Sequence, residues 1–163
     1  MKRSELRETI FKLLFMAQFN STEEMPEQVR LYFDSLESGR EEFPCSKAPT
    51  EADEAYMQEK YSRVAEMLPE IDGLLNATAT GWKTSRMSKV DLTILRLAVY
   101  EIRYDDDVPV SVAINEAVEI AKRFGGEESA SFINGILGKI ARETEEEKPE
   151  QTDGKQQEEG RAE

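Results

Sequence analysis

Between Ser88 and Arg103 the chain carries its clearest helical repeat, and that repeat is apolar on nearly every side. Val90, Leu92, Ile94, Leu95, Leu97, Ala98, Val99 and Ile102 leave almost no polar stripe. A helix apolar all round has to be enclosed by other elements. The segment therefore reads as the centre of a bundle, and the flanking sequence has to supply its neighbours. Ser88 with Asp91 three residues later gives it a capping-box-like start, with Asp in place of the usual Glu or Gln.

The neighbours are also helical. Residues 4–19 form a first helix, with Ser4 as N-cap and Leu6, Ile10, Leu13, Leu14 and Ala17 on one stripe. Phe11, Phe15 and Phe19 add a second row at i, i+4 spacing, which predicts a largely buried helix. A more polar helix follows over 24–38, with Val29, Tyr32, Phe33 and Leu36 inward and Gly39 as its stop. Residues 39–50 read as a loop with two prolines and Cys45. Helical spacing resumes over 51–68 through Ala55, Tyr61, Val64 and Ala65, is interrupted at Pro69, and continues briefly through Leu74 and Leu75. After the 88–103 helix, Asp105-Asp106-Asp107-Val108-Pro109 makes a turn, Ser111 caps a helix over 112–124, and Gly125 ends it. A last helix spans 128–142. Runs of alternating β-branched residues and tight hairpin dipeptides are missing, so the expected fold is all-α. It is a compact bundle of about seven helices in two subdomains, residues 1–81 and 82–143, followed by an acidic, disordered tail over 144–163.

Charge is unevenly placed. The formal net charge is −13. Residues 23–59 account for −8 and residues 143–163 for −6, which leaves +1 on the rest. The acidity thus belongs to one insert-like segment and one tail, and a basic nucleic-acid site elsewhere is not excluded. The tail is itself a candidate competitor for such a site.

Several chemistries are excluded outright. One cysteine and no histidine leave no internal disulfide, no Cys/His zinc site and no histidine general base. No cofactor and no metal are expected, and the chain reads as non-enzymatic. The Asp105–Asp107 run lacks the alternating ligands and central glycine of a calcium loop. Gly125-Gly126 and Gly135-xx-Gly138 follow no strand and precede no Lys-Ser or Lys-Thr, so they are not phosphate loops. The N-terminus lacks the apolar run of a secretory signal, and no stretch is apolar enough to span a membrane. A cytoplasmic protein is the expectation.

What remains is small. Lys2, Arg3, Arg7 and Lys12 stand against Glu5 and Glu8, and Arg3 and Arg7 share a helix face four residues apart. Such a patch can hold RNA phosphates, but by charge alone an ordinary solvated helix start is the simpler account. Phe132 lies one position off the Ile133–Ile136–Ile140 stripe, so it either packs in the core or stacks on an exposed base.

The run from Trp82 to Ala141 resembles the NusB family of transcription antitermination proteins. The matching pieces are Trp82, Met87-Ser88-Lys89-Val90-Asp91 and Ile94-Leu95-Arg96-Leu97-Ala98-Val99-Tyr100-Glu101. Val108-Pro109, the stretch from Ala113 to Lys122, and Phe124-Gly125 follow in order, and Ser129 precedes Phe132-Ile133-Asn134-Gly135-Ile136-Leu137. Arg7-Glu8 and Leu14-Phe15 add a weaker N-terminal match.

The resemblance implies two helical bundles that bind the boxA element of ribosomal RNA leaders. It implies a ribosomal protein, doubling as NusE, as a partner, and an antitermination complex on RNA polymerase. Carried over residue by residue, it implies RNA contacts at Lys2, Arg3, Arg7, Phe15 and Phe132, with Glu128 beside them. It implies a protein-partner contact at Asp91. The N-terminal stretch is thin in arginine, with Ser4 and Leu6 at positions that are basic in many relatives, and Phe15 stands where the family often has Tyr. A helical protein–protein adaptor with weak or no RNA binding is therefore the alternative function. An apolar helix surface can also meet its own copy, which leaves a homodimer open.

Overall fold

The computed structural model describes residues 1–38, 48–79 and 81–147. Among the described residues the chain forms seven α-helices and one 3-10 turn, with no strand. They are α1 (Arg3–Ala17), α2 (Met25–Glu37), α3 (Glu51–Glu66), α4 (Leu68–Thr78), the 3-10 turn (Thr84–Arg86), α5 (Lys89–Tyr104), α6 (Val110–Phe124) and α7 (Ser129–Glu147). No described helix is long and apolar enough to cross a membrane.

The apolar helix is at the centre, as its pattern demands. Its residues from Leu92 to Ile102 are buried apart from Arg96. α5 packs on α6 and α7 on one side and on α1, α3 and α4 on the other, so both halves share one continuous core. Ser88 caps its start, with the Asp91 amide donating to Ser88 Oγ at 3.1 Å, but Asp91 does not close the expected box, and its Oδ1 is buried without a partner. A paired guanidinium and carboxylate bind the halves from outside that core. Arg96 on α5 donates two hydrogen bonds, of 2.9 and 2.8 Å, to Asp72 on α4.

Some helix ends differ from expectation, and each difference has a local cause. Ser4 does not cap α1. Lys2 occupies the cap position, and its amide donates to Glu5 Oε2 at 2.9 Å, so the helix begins before the serine. Ser111 does not cap α6 either. Pro109 precedes the first helical residue with φ already near −59°, and Val110 continues directly from it. Pro69 does not interrupt a helix; it sits in the first turn of α4, where its missing N–H costs nothing. Ala55 is exposed, and α3 buries Met57, Lys60 and Val64 instead. α1 is largely buried, as its apolar content implies, but it ends at Ala17, and Phe19 beyond it is 58% exposed.

The expected tail boundary also moves. α7 continues through Glu147: Thr144 is buried, and Arg103 pairs with Glu147 at 2.6 Å. Residues 144–147 are therefore helix. The rest of the expected tail, and most of the 39–50 loop with Cys45 and Gly39, lie outside the described residues.

Gly125 is required by close approach. Its backbone is extended, with φ −90°. A Cβ there would stand 2.6 Å from Ser129 Oγ and 2.8 Å from the Ala121 carbonyl oxygen. The gap lets the Gly126 amide donate to Ser129 Oγ at 2.9 Å and sets α7 tightly against the end of α6.

Candidate nucleic-acid interface

α1 has two working faces. On one, Arg7 is buried and its guanidinium is fully engaged. Nε donates to Glu101 Oε1 at 3.0 Å and Oε2 at 3.1 Å, and the terminal nitrogen NH2 donates to Oε2 at 2.9 Å. Lys60 on α3 approaches the same carboxylate from the other side, with Nζ to Oε2 at 2.8 Å. Asp105 lies 3.3 Å from Lys60, and Glu116 on α6 lies 3.9 Å from Arg7. Burial by itself would lower the affinity of both cations for their protons. Glu101 outweighs it and holds the Arg7 and Lys60 groups above their ordinary values. Both cations therefore stay charged inside the protein.

The other face of α1 turns toward the end of α6. Phe11 packs on Phe124 with ring centroids 5.5 Å apart, and Phe15 and Phe19 continue the row, 5.1 Å from each other. Cations lie over these rings. Lys12 Nζ is 5.7 Å and the Arg123 guanidinium 5.2 Å from the Phe124 centroid, and Lys89 Nζ is 5.3 Å from Phe19. Arg123 also pairs with the buried carboxylate of Glu8, whose proton affinity is raised because burial outweighs the opposing pull of Arg123. The result is an edge of alternating phenyl rings and cations that runs along α1 and onto the α6–α7 turn.

The residues singled out from sequence fall unevenly on this edge. Lys2 and Arg3 are exposed at the N-terminal end of α1, with Arg3 beside Arg7 rather than on the edge, and Phe15 is half-buried within it. Glu128 is exposed just before α7, and Phe132 stands half-buried one turn later. The Phe132 ring meets Trp82 in a T-shaped contact at 5.8 Å, and Trp82 is 54% exposed. Phe132 is thus neither a core residue nor a free one; it forms half of an aromatic pair open to solvent. Arg7 departs from the group, since the structure places it 7% exposed against Glu101 rather than on the edge. Asp91 lies away from the other candidates in the first turn of α5, where one carboxylate oxygen, Oδ1, is buried without a hydrogen-bond partner.

Arg123 and Phe124 join the edge through tertiary contact and were not singled out from sequence. Their signal was faint: a basic pair with an aromatic at a helix end, next to glycines that demand a tight turn. Among the described residues no group of carboxylates, cysteines and histidines is arranged to hold a metal.

Comparison with known proteins agrees with this architecture. A family model described as the NusB family matches residues 4–142. The transcription antitermination protein NusB of Agathobacter rectalis is 47% identical over 141 residues, covering 86% of this chain and all of the relative. The protein of the same name from Lachnoclostridium phytofermentans is 49% identical over 140 residues, covering 86% of this chain and 98% of the relative. Among solved structures, T. maritima NusB superposes with a TM-score of 0.71 at 33% identity, covering 88% of this chain and 92% of that one. A chain from a structure described as a plectonemic RNA supercoil shares the fold, with a TM-score of 0.67 at 20% identity over 86% of this chain and 94% of that one. With its central apolar helix, its Ser88 cap and its glycine-tight α6–α7 turn, the chain belongs to the NusB family.

Proposed function

We propose that this protein is a cytoplasmic transcription antitermination factor. It binds the boxA RNA of ribosomal RNA leaders together with a ribosomal protein acting as NusE, and the assembly acts on RNA polymerase. The observation that carries the RNA-binding part is the edge of α1. On a chain of net charge −13, cations and aromatic rings alternate there, with Arg123 and Lys12 over Phe124 and Lys89 over Phe19. Single-stranded RNA is recognised by that combination: cations follow the phosphates, and rings accept unstacked bases. Phe15 continues the same edge, Lys2 and Arg3 add exposed cations at the start of α1, and Phe132 with Trp82 offers a second aromatic platform beyond Glu128. Arg7 supports the edge from behind, as a positioning residue.

The protein partner is assigned to the surface of Asp91. A groove of about 500 Å³ lies near it between the C-terminal end of α1 and the start of α5, lined by Leu14, Leu68, Met87 and Leu92 together with Lys89 and Arg96. A groove with an apolar majority and a few polar groups, beside the Asp91 carboxylate, suits a protein segment that offers both kinds of contact.

The burial of Arg7 favours a second reading, in which the chain is a helical adaptor with weak RNA binding, because one of the four N-terminal cations is withdrawn from the surface. Gel shifts with boxA RNA at two salt concentrations, with and without the ribosomal partner, separate the two. Binding that weakens as salt rises supports the RNA reading. No shift under any of these conditions, with the partner bound, sinks it and leaves the adaptor. Sedimentation of the protein alone decides whether the apolar groove meets a second copy instead.

A further inference from the structure

Beside the proposed RNA edge, a cleft of about 580 Å³ opens between the N-terminal end of α1, α3 and the α5–α6 turn. Arg3 stands on its rim, Tyr56 forms one wall, Pro109 and Val112 form the other, and Asp107 and Glu116 also line it. Arg7 and Lys60 lie at its floor, already committed to Glu101. The walls are open to solvent: Tyr56 is 45% and Val112 39% exposed.

We propose that this cleft captures a single unstacked nucleobase carrying an exocyclic amine (adenine, guanine or cytosine, not uracil) at the end of the RNA segment bound along α1. This rests on the RNA reading given above and adds a site to it.

The chemistry of the lining selects the occupant. A phosphate is disfavoured, because the two cations of the floor are paired with Glu101, Asp105 and Glu116, while the Asp107 carboxylate also faces the space. A nucleobase is a flat apolar body with a polar edge. Its faces match the Tyr56 ring and the Pro109–Val112 wall, and stacking of this kind tolerates any base. Its edge decides the identity, because a carboxylate accepts from an exocyclic amine, as acidic side chains do from the cytosine amine, whereas uracil offers carbonyl oxygens at those positions that a carboxylate repels. The volume is ample for one base. Arg3 is placed to meet the phosphate on the base's own nucleotide, which joins the cleft to the edge beside it.

The test uses the full chain, fluorescence anisotropy and a set of boxA RNAs each carrying one abasic site. On the unaltered protein one abasic position is expected to cost about tenfold in affinity, in line with the loss of one stacked base. Tyr56→Ala should cost a similar factor on intact RNA and almost nothing further on that abasic RNA. Asp107→Asn, which keeps the size of the side chain, should weaken the preference for an amine-bearing base over uracil at that position. If the unaltered protein binds RNA but Tyr56→Ala and Asp107→Asn bind every RNA as it does, the cleft has another use, such as seating a basic side chain of a protein partner, and the proposal is overturned. If the unaltered protein binds none of the RNAs, even with the ribosomal partner present, the RNA reading itself fails.

Discussion

Arg7 and Glu101, 94 residues apart in sequence, form a buried two-pronged ion pair that joins the first helix to the central one. Lys60 completes a triad on the same carboxylate. Removing one member of a buried ion group leaves the other desolvated and unpaired, which costs about 3–5 kcal/mol. Glu101→Gln should therefore lower the unfolding free energy by up to about that amount, since it leaves Lys60 with only Asp105 and Arg7 with only the more distant Glu116. Arg7→Ala should cost less, because Lys60 still neutralises Glu101. Urea unfolding followed by circular dichroism measures both. Equal, small losses for the two would show that the triad contributes little to holding α1 in place.

The pairing also sets what could be read from the sequence. The central helix, its Ser88 cap and the need for Gly125 were legible because each depends on residues close in sequence. A carboxylate deep inside a helix apolar all round, Glu101, is also a signal: such a group has to find a cation. Which cation it finds was not legible, because the answer lies in which face of α1 turns inward, and α1 has apolar residues on two sides. The same limit hid Arg123 and Phe124, which join the candidate interface only when α6 docks along α1. The end of α7 was obscured by composition. Glu143, Glu145, Glu146 and Glu147 look like solvated tail, and they sit where a helix dipole disfavours negative charge. Thr78 and Arg103 supply the compensation, through bonds to Glu143 and Glu147.

A pH dependence follows from the start of α3. The Glu54 carboxyl is pushed up to about 7 by burial and by the neighbouring Glu37, with Asp34 and Glu51 adding to it. Its Oε1 atom is buried without a hydrogen-bond donor. The unfolded chain releases this proton near the ordinary carboxyl value, while the folded protein keeps it up to about pH 7. Between those two values the native state binds more protons, so stability falls as pH rises, and above about 7 the loss is complete. Glu54→Gln should therefore raise the thermal midpoint at pH 8 and leave it nearly unchanged at pH 4. A midpoint difference that does not depend on pH would remove Glu54 from the account.

Trp82 is the chain's single tryptophan, and its edge-on contact with Phe132 makes it a built-in reporter. Phe132→Ala should change the emission of Trp82 while costing only about 1–2 kcal/mol in stability, less than a fully buried Phe, because the ring is half-exposed. Titration with boxA RNA should quench Trp82 emission in the unaltered protein, and the mutant should need more RNA to reach half-saturation. Global unfolding of Phe132→Ala would place the ring's role in packing alone.

The division of labour among the N-terminal cations can be read from salt dependence. Each cation that neutralises a phosphate of single-stranded RNA adds about 0.7 to the slope of log affinity against log salt. Lys12 lies on the proposed edge and Arg3 stands at the rim of the neighbouring cleft, whereas Arg7 is held by Glu101. Arg3→Ala and Lys12→Ala should therefore each flatten the slope by about 0.7. Arg7→Ala should weaken binding by loosening α1 and leave the slope as it was. The measurement is anisotropy at four or more salt concentrations, with each variant first shown to be folded. A flatter slope for Arg7→Ala would mean that the guanidinium leaves Glu101 to reach RNA. The buried triad would then be the resting state of a side chain that moves on binding.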